Sequence, residues 1–315
     1  MHIVILSERG GWHAGELSRA LIERGHTGDV LPYEGLVARL GAARGTLSSD
    51  RASVFDADAV LARFIPTGSL EQIIYRMDAL HWIEEHGVPV MNSPRAIERS
   101  VDKFYTDALL HEAGLPTPET VVCEGPEEAM AAVRAMLGRR SPGEGGGDVV
   151  IKPIFGSMGH GMVRVSDPDV AFRIVGALDQ IRAVFYVQRI VDHGGRDVRV
   201  FVADGRALGA VERRVPDGDW RTNVSRGGSA QPIDLPVEWA RLAVRAAAAV
   251  GADYAGVDLL PSCDGAVFVL EVNGIPGWRG LQQATGLDVA GAIVELLERR
   301  VARVPRREPT AEFPA

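Results

Sequence analysis

Lysine is nearly absent from this chain: two of its 315 residues are lysine, against thirty-two arginines. Cysteine is as scarce. Cys123 and Cys263 stand far apart and outside any CxxC spacing, which points to neither a disulfide framework nor a zinc site. A basic surplus is also missing. The net charge of −8 argues against a nucleic-acid partner, which usually meets a positive surface. No apolar run approaches the ~20 residues of a membrane span, and the most tempting one, LAVRAAAAV, carries Arg245. The opening MHIVILSERGG lacks a basic region before its short apolar run, so it reads as a first strand and not as a signal peptide. The expectation is a cytoplasmic protein without a membrane contact. What is present is ordinary for a soluble globular chain: 46% apolar and 24% charged residues, in a length that allows two or three compact units.

The scarcity of lysine gives weight to the two positions that keep it. A bias toward arginine explains why lysine is rare but not where it persists. Lysine is a compact point charge on a flexible stem, whereas arginine is a planar fork, so a narrow pocket for phosphate oxygens can require the former. Lys103 lies in SVDKFYTDALLHEAGLPTPET, at the start of a predicted helix. Lys152 ends the apolar run VVIKP, which leads into the glycine-rich stretch GSMGHG.

Strands alternate with helices along the chain, which predicts a mixed α/β (α+β) protein. HIVIL (2–6) reads as a buried strand, followed by a helix over 13–24 that Gly25 ends. Further strands are expected near 29–31, over 56–64 and over 88–92, with a long helix over 69–85. These form a first α/β unit, residues 1–93, with a parallel sheet. A second unit, 94–184, holds a helix to His111, the turn GLPTP, a helix over 126–137 and VVIKP, interrupted by the flexible SPGEGGG loop at 141–147. A third, 185–302, carries strands in FYVQRIV, DVRVFVA, RALGAVERRV, YAGVDLL and AVFVLEVN, with helices over 237–250 and 289–300. Residues 303–315 read as a disordered tail.

The chemistry-bearing residues fall in three groups. GSMGHG (156–161) offers backbone N–H groups to an anion, because glycine permits close approach. It is neither a Walker A loop nor GxGxxG, and a plain hairpin turn is the competing reading. Its place between Lys152 and the strand MVRV suits a lid over phosphates. The second group is acidic. Asp258 lies in the strand GVDLL, and Glu271 and Asn273 end the strand VFVLEVN after the turn SCDG. Glu271 and Asn273 are two apart and share a face. With Asp258 on the neighbouring strand they make three oxygen ligands for a hard ion such as Mg2+. The competing reading is acids paired with nearby arginines. The third group is basic: Arg196, Arg199, Arg213, Arg214, Arg221 and Arg226, with Asn223 among them. A solvated basic face is the usual outcome of such a run, but here the arginines fall on strands that precede the acidic hairpin.

Together, DK…LL…GLPTP, VVIKPIFGSMGHG, QRIV…GRDVRVFV, ERRV…GDWRTNVSRGG, AGVDLL and EVNGIPGW resemble the ATP-grasp superfamily, and within it the RimK-type α-L-glutamate ligases. The resemblance covers residues 92–300, and the first unit is similar to the pre-ATP-grasp domain of those proteins. It implies a fold in which two subdomains enclose ATP. Lys103 and Lys152 are then expected on the α- and β-phosphates, and the loop with Gly156, Ser157, Gly159 and Gly161 closed over them. Gln188, Arg189 and Ile190 would meet the adenine through backbone groups, and Asp197 would face the ribose. Arg213, Arg221 and Asn223 would lie near the γ-phosphate and an acyl phosphate. Asp258, Glu271 and Asn273 would hold Mg2+, as two ions with Glu271 bridging, Mn2+ being an alternative.

The implied reaction turns a carboxylate into an acyl phosphate at the expense of ATP, and an amine then displaces phosphate to form an amide. The partners implied are ATP, L-glutamate and a small-molecule carboxylate acceptor, and the resemblance also allows a homo-oligomer. One departure bears on the acceptor. The turn reads EVNGIPGWRGL, with Ile275 where these ligases commonly carry a hydroxyl residue, and Trp278 after Pro276-Gly277. This PGW form is similar to the branch associated with tetrahydromethanopterin biosynthesis, which suggests a pterin-type acceptor. Trp278 either stacks on a flat ring or packs in a core, and Arg63 and Arg76 are candidates for an acceptor carboxylate. Three other readings stay open: glutamylation of a protein C-terminus, phosphoryl transfer to a hydroxyl, and a nucleotide-binding regulatory module without turnover.

Overall fold

The structure, a computed structural model, describes residues 1–41, 45–49, 52–137, 147–156, 161–215 and 229–303. The loop expected at 141–147 and the tail expected at 303–315 lie almost wholly outside these residues.

In the N-terminal unit, β1 (His2–Leu6) is followed by α1 (Trp12–Glu23) and β2 (Thr27–Leu31). A small antiparallel sheet that periodicity did not indicate comes next, formed by β3 (Val37–Arg39), β4 (Thr46–Ser49) and β5 (Ala52–Ser53). The chain then returns to the first sheet with β6 (Ala59–Ala62), α2 (Leu70–Glu85) and β7 (Val90–Met91). The main sheet is parallel, in the order β2-β1-β6-β7. Strand β1 is buried on both faces, as a parallel strand between helices must be. Ile3 and Ile5 point into one apolar cluster and Val4 and Leu6 into another. Ser69 caps α2 through a reciprocal capping box with Gln72, which fixes where the helix starts.

The central unit starts with α3 (Pro94–Val101) and α4 (Lys103–Glu112), the latter capped by Asp102, which accepts from the Tyr105 amide. Then follow β8 (Thr120–Cys123), α5 (Pro126–Met136), β9 (Val149–Lys152), β10 (Val163–Val165), α6 (Pro168–Gln180) and β11 (Phe185–Arg189). Its sheet is antiparallel in the order β10-β9-β11-β8, with α5 and α6 sharing its core. Two boundaries differ from expectation. Residues 185–189 pair with β8 and β9, so they complete the central sheet rather than open the third unit. Leu110 at the end of α4 and Leu115 after it are buried in the core of the C-terminal unit.

That unit contains β12 (Arg196–Ala203), β13 (Arg206–Arg214), β14 (Ser229–Pro232), α7 (Val237–Val250), β15 (Tyr254–Pro261), β16 (Val267–Asn273), α8 (Arg279–Thr285) and α9 (Val289–Arg303). The five strands form an antiparallel sheet in the order β14-β13-β12-β15-β16. Alternation along β12 sorts its side chains. Val198, Val200 and Val202 pack with α7, whereas Phe201 and Ala203 join the cluster of α1 and α9. The last helix thus folds back on the first: Leu17 and Leu21 bury against the apolar face of α9, each worth roughly 2 kcal/mol over exposure. Asp197 and Arg199 occupy the polar half of the face that Phe201 and Ala203 begin.

Candidate active site

Strand register assembles the charged residues. In β12, Asp197 stands opposite Arg213 and Arg199 opposite Asp258, and Asp258 stands opposite Glu271 in β16. Directly opposed residues share a face, as do residues two apart. Arg213, Asp197, Arg199, Asp258, Glu271 and Asn273 therefore form one polar row across four strands. Arg199 donates from Nε and Nη2 to the two oxygens of Asp258 at 2.6 Å each. Arg213 donates to both oxygens of Asp197 at 2.6 and 2.5 Å and lies 3.1 Å from Asp258. Burial alone would raise the pKa of Asp258, but the guanidiniums of Arg199 and Arg213 outweigh it and hold the acid below its usual value.

The opposite wall belongs to the central unit. Lys152 is buried, its ammonium 2.9 Å from the Gln188 side-chain oxygen and over the Tyr186 ring at 4.7 Å. The Gln188 amide donates to Thr120 and to the Tyr186 hydroxyl, which in turn donates to Asp107. Desolvation pulls Lys152 down to about 8, against the opposing attraction of Asp107 and Glu271. Desolvation also lowers Lys103, and Glu271 again opposes it. Lys103 donates to the Gly156 carbonyl at 2.7 Å, tying α4 to the start of the glycine-rich stretch. Both lysines thus lie within electrostatic reach of Glu271, near the end of β16, from the other subdomain.

Several expectations meet a different arrangement. Asp197 is 1% exposed with both oxygens held by Arg213, so it presents no open carboxylate for a ribose. Gln188 and Arg189 sit mid-sheet between β8 and β9, and the Arg189 and Ile190 amides donate to the Glu119 and Asp148 carbonyls. Those amides are therefore not free for an adenine, and the Gln188 side chain turns to Lys152 instead. The Arg189 guanidinium pairs with Glu119. Trp278 is 1% exposed, packed against His13 and Phe201, so the indole is a core residue and not a stacking platform. Arg63 donates to the Pro276 carbonyl and Arg76 to that of Pro66. Ser157, Gly159, Arg221 and Asn223 lie outside the described residues, between or beside Gly156, Gly161 and β13. Asp107 is a site residue beyond those expected, although it stands four residues after Lys103 on one helix face, the spacing of a charge pair. Tyr186, Asn92 and His13 left no such signal.

The oxygen donors suit a hard cation in kind: two carboxylates and one amide, with lysines opposite for phosphate. Among the described residues no group of three His, Cys, Asp or Glu side chains could hold a metal, so phosphate oxygens would have to complete the shell. Asp258 would also have to share its oxygens with Arg199.

A family model described as the RimK-like ATP-grasp domain matches residues 100–297, and one described as the RimK PreATP-grasp domain matches residues 1–97. The chain belongs to the RimK-like ATP-grasp family. It is accordingly an ATP-grasp ligase, of a family whose members form ADP. Among relatives, the tetrahydromethanopterin:alpha-L-glutamate ligase of Methanosarcina acetivorans is 33% identical, over 94% of this chain and 98% of its own length. The ATP-grasp ligase PsnB, solved in complex with a minimal precursor, superposes with a TM-score of 0.72 at 24% identity, over 95% of this chain and 98% of that one. A RimK domain ATP-grasp protein from Sphaerobacter thermophilus gives 0.69 at 24%, over 95% and 100%. These two likenesses concern the fold. No helix among the described residues is long and apolar enough to cross a membrane.

Proposed function

We propose that this protein is a Mg-ATP-dependent carboxylate–amine ligase that adds L-glutamate to a carboxylate of a small pterin-type cofactor precursor. The observation that carries the reading is that Glu271, which stands opposite Asp258 in the acidic row, lies within electrostatic reach of both Lys103 and Lys152. Cations on one wall and oxygen donors on the other suit a nucleotide triphosphate between them. The substrate class follows the relative named tetrahydromethanopterin:alpha-L-glutamate ligase, which the chain matches over nearly its full length.

In this reading Lys103 and Lys152 bind the α- and β-phosphates, and the stretch from Gly156 to Gly161 covers them. Gln188 keeps the Lys152 ammonium aimed at the cleft, and Asp107 favours its charged form. Asp258, Glu271 and Asn273 hold Mg2+, as two ions, which supply neutralisation of the charge on the transferring phosphoryl oxygens. Arg213, Arg221 and Asn223 orient the γ-phosphate and then the acyl phosphate. The acceptor carboxylate attacks the γ-phosphorus and ADP departs. The glutamate amine attacks the acyl carbon, loses a proton, and phosphate leaves. Exclusion of water by the closed loop protects the acyl phosphate.

The test is transfer of label. Purified protein is incubated with Mg-ATP, isotopically labelled glutamate and an extract of the source cells, and small molecules are separated from protein. The expected result is label in a small pterin-like compound with stoichiometric ADP. Label in protein would replace this reading with modification of a protein C-terminus, and ADP without incorporated glutamate would remove glutamate as the amine.

A further inference from the structure

The turn that follows Asn273 runs through Gly274, Ile275, Pro276 and Gly277 to Trp278, and three side chains of the N-terminal unit hold its backbone at alternate residues. Asn92 donates to the Gly274 carbonyl at 2.6 Å, Arg63 to the Pro276 carbonyl at 2.8 Å, and His13 accepts from the Trp278 amide at 3.1 Å. Asn92 also donates to the Tyr254 carbonyl and accepts from the Asp253 and Tyr254 amides, so one buried amide joins the start of β15 to the turn after β16. Arg63 lies 4.4 Å over the Trp278 ring, which His13 meets edge-on at 4.6 Å between centroids. The turn is packed tightly from other sides. A Cβ at Gly274 would come within 2.4 Å of the Ser100 hydroxyl, and one at Gly256 within 2.9 Å of Pro276.

The three holders share an address. His13 is in the first turn of α1 after β1, Arg63 follows β6, and Asn92 follows β7. All stand at the carboxyl ends of the parallel strands, the edge where an open α/β sheet ordinarily receives a ligand. Here that edge receives the chain's own turn, which begins immediately after Asn273, the last expected metal ligand. Arg63 is 3% exposed, and among the described residues no carboxylate pairs with it, while its Nε has no hydrogen-bond partner. A buried cation without a counter-ion is a costly way to bind one carbonyl and the Tyr254 hydroxyl if stability is the only result.

We infer that His13, Arg63 and Asn92 are positioning residues that set Glu271 and Asn273 for metal binding by fixing the turn behind them. The inference rests on the reading of Glu271 and Asn273 as metal ligands. Beyond Asn273 the strand has no further ladder partner, so the turn would otherwise leave the end of β16 free to move. Metal donors need placement within about half an ångström.

Binding of Mn2+ by the full-length protein in the presence of ADP, followed by electron paramagnetic resonance, tests this. Arg63→Met keeps the packing on Trp278 and removes the donor to Pro276. It is expected to weaken Mn2+ about tenfold, leave metal-free ADP affinity within about twofold, and keep or raise the melting temperature, since an unpaired buried charge is gone. Arg63→Lys, which retains a donor, should recover most of the loss. His13→Ala, at a half-buried position, should weaken Mn2+ about threefold and serves if Arg63→Met does not fold. Unchanged Mn2+ affinity in a folded variant, or an equal loss of metal-free ADP binding, overturns the inference. Glu271→Gln is run in parallel: if it binds Mn2+ as the parent protein does, the metal assignment itself is wrong, whatever the clamp variants do.

Discussion

Arg199 of β12 and Asp258 of β15 face each other in register, and the guanidinium donates to both carboxylate oxygens at 2.6 Å. Asp258 is 4% exposed and also lies 3.1 Å from Arg213, whose own main partner is Asp197. The same acid is thus the proposed metal ligand and the neutralising charge for two arginines. Its substitution therefore has two separable consequences.

Asp258→Asn removes the negative charge between Arg199 and Arg213 while nearly preserving volume. Breaking one partner of a buried pair leaves uncompensated charge, with an expected loss of ~3 kcal/mol in stability. The urea midpoint should fall with the slope unchanged, and ADP release should cease. An unaltered midpoint would show that the arginines find other partners.

Glu271→Gln should leave the fold intact, because Glu271 sits opposite Asp258 at the outer strand of the sheet and is not part of the buried pairs. Metal stabilisation of a phosphoryl transition state amounts to several kcal/mol, so turnover should fall at least ~100-fold. An unchanged rate of ADP release refutes the metal assignment.

Lys152, with a pKa of about 8 set by burial, should make ATP binding sensitive to alkali. Only the ammonium attracts phosphate, so the dissociation constant is expected to rise about fivefold between pH 8 and 9. Stability should move the other way. The folded value lies below the usual 10.5 of a lysine, so the unfolded chain holds more protons between about 8 and 10.5, and this group's contribution improves as pH rises through that window. Titration calorimetry and urea melts across pH separate the two trends, and flat ATP affinity up to pH 9 would contradict the assignment of Lys152.

His13 is held near 4, first by desolvation and then by the charges of Arg63 and Arg279. Its Nε2 accepts from the Trp278 amide, a role only the neutral ring can fill. The folded value lies below the ordinary 6.5, so stability from this group is complete above that pH and is lost as pH falls toward 4. His13→Gln should make the melting temperature less dependent on pH between 6.5 and 4. A parallel decline in both proteins would place the acid sensitivity elsewhere.

Local pattern was sufficient for much of the architecture. The helix expected over 237–250 has those bounds, the one over 69–85 begins one residue later because Ser69 is its cap, and the β9–β10 hairpin follows Lys152 as expected. Apolar periodicity and capping residues act within a few positions, so they can be read from adjacent letters. The facing of Asp258 and Glu271 was legible for the same reason: a short turn joins their strands.

What sequence alone determined is where most of the longer strands and helices lie, though not the small β3-β4-β5 sheet, and which rare residues, two lysines and an acidic hairpin, are candidates for the chemistry. Only the tertiary structure decided their partners. Arg199 meets Asp258 across 59 positions, Lys152 meets Gln188 across 36, and Arg63 meets Pro276 across 213. Trp278 became a core residue, and β11 joined the central sheet, through contacts with segments far away in the chain. Such pairings depend on register and on the docking of separate layers, which set where each polar group is desolvated and which opposite charge can reach it.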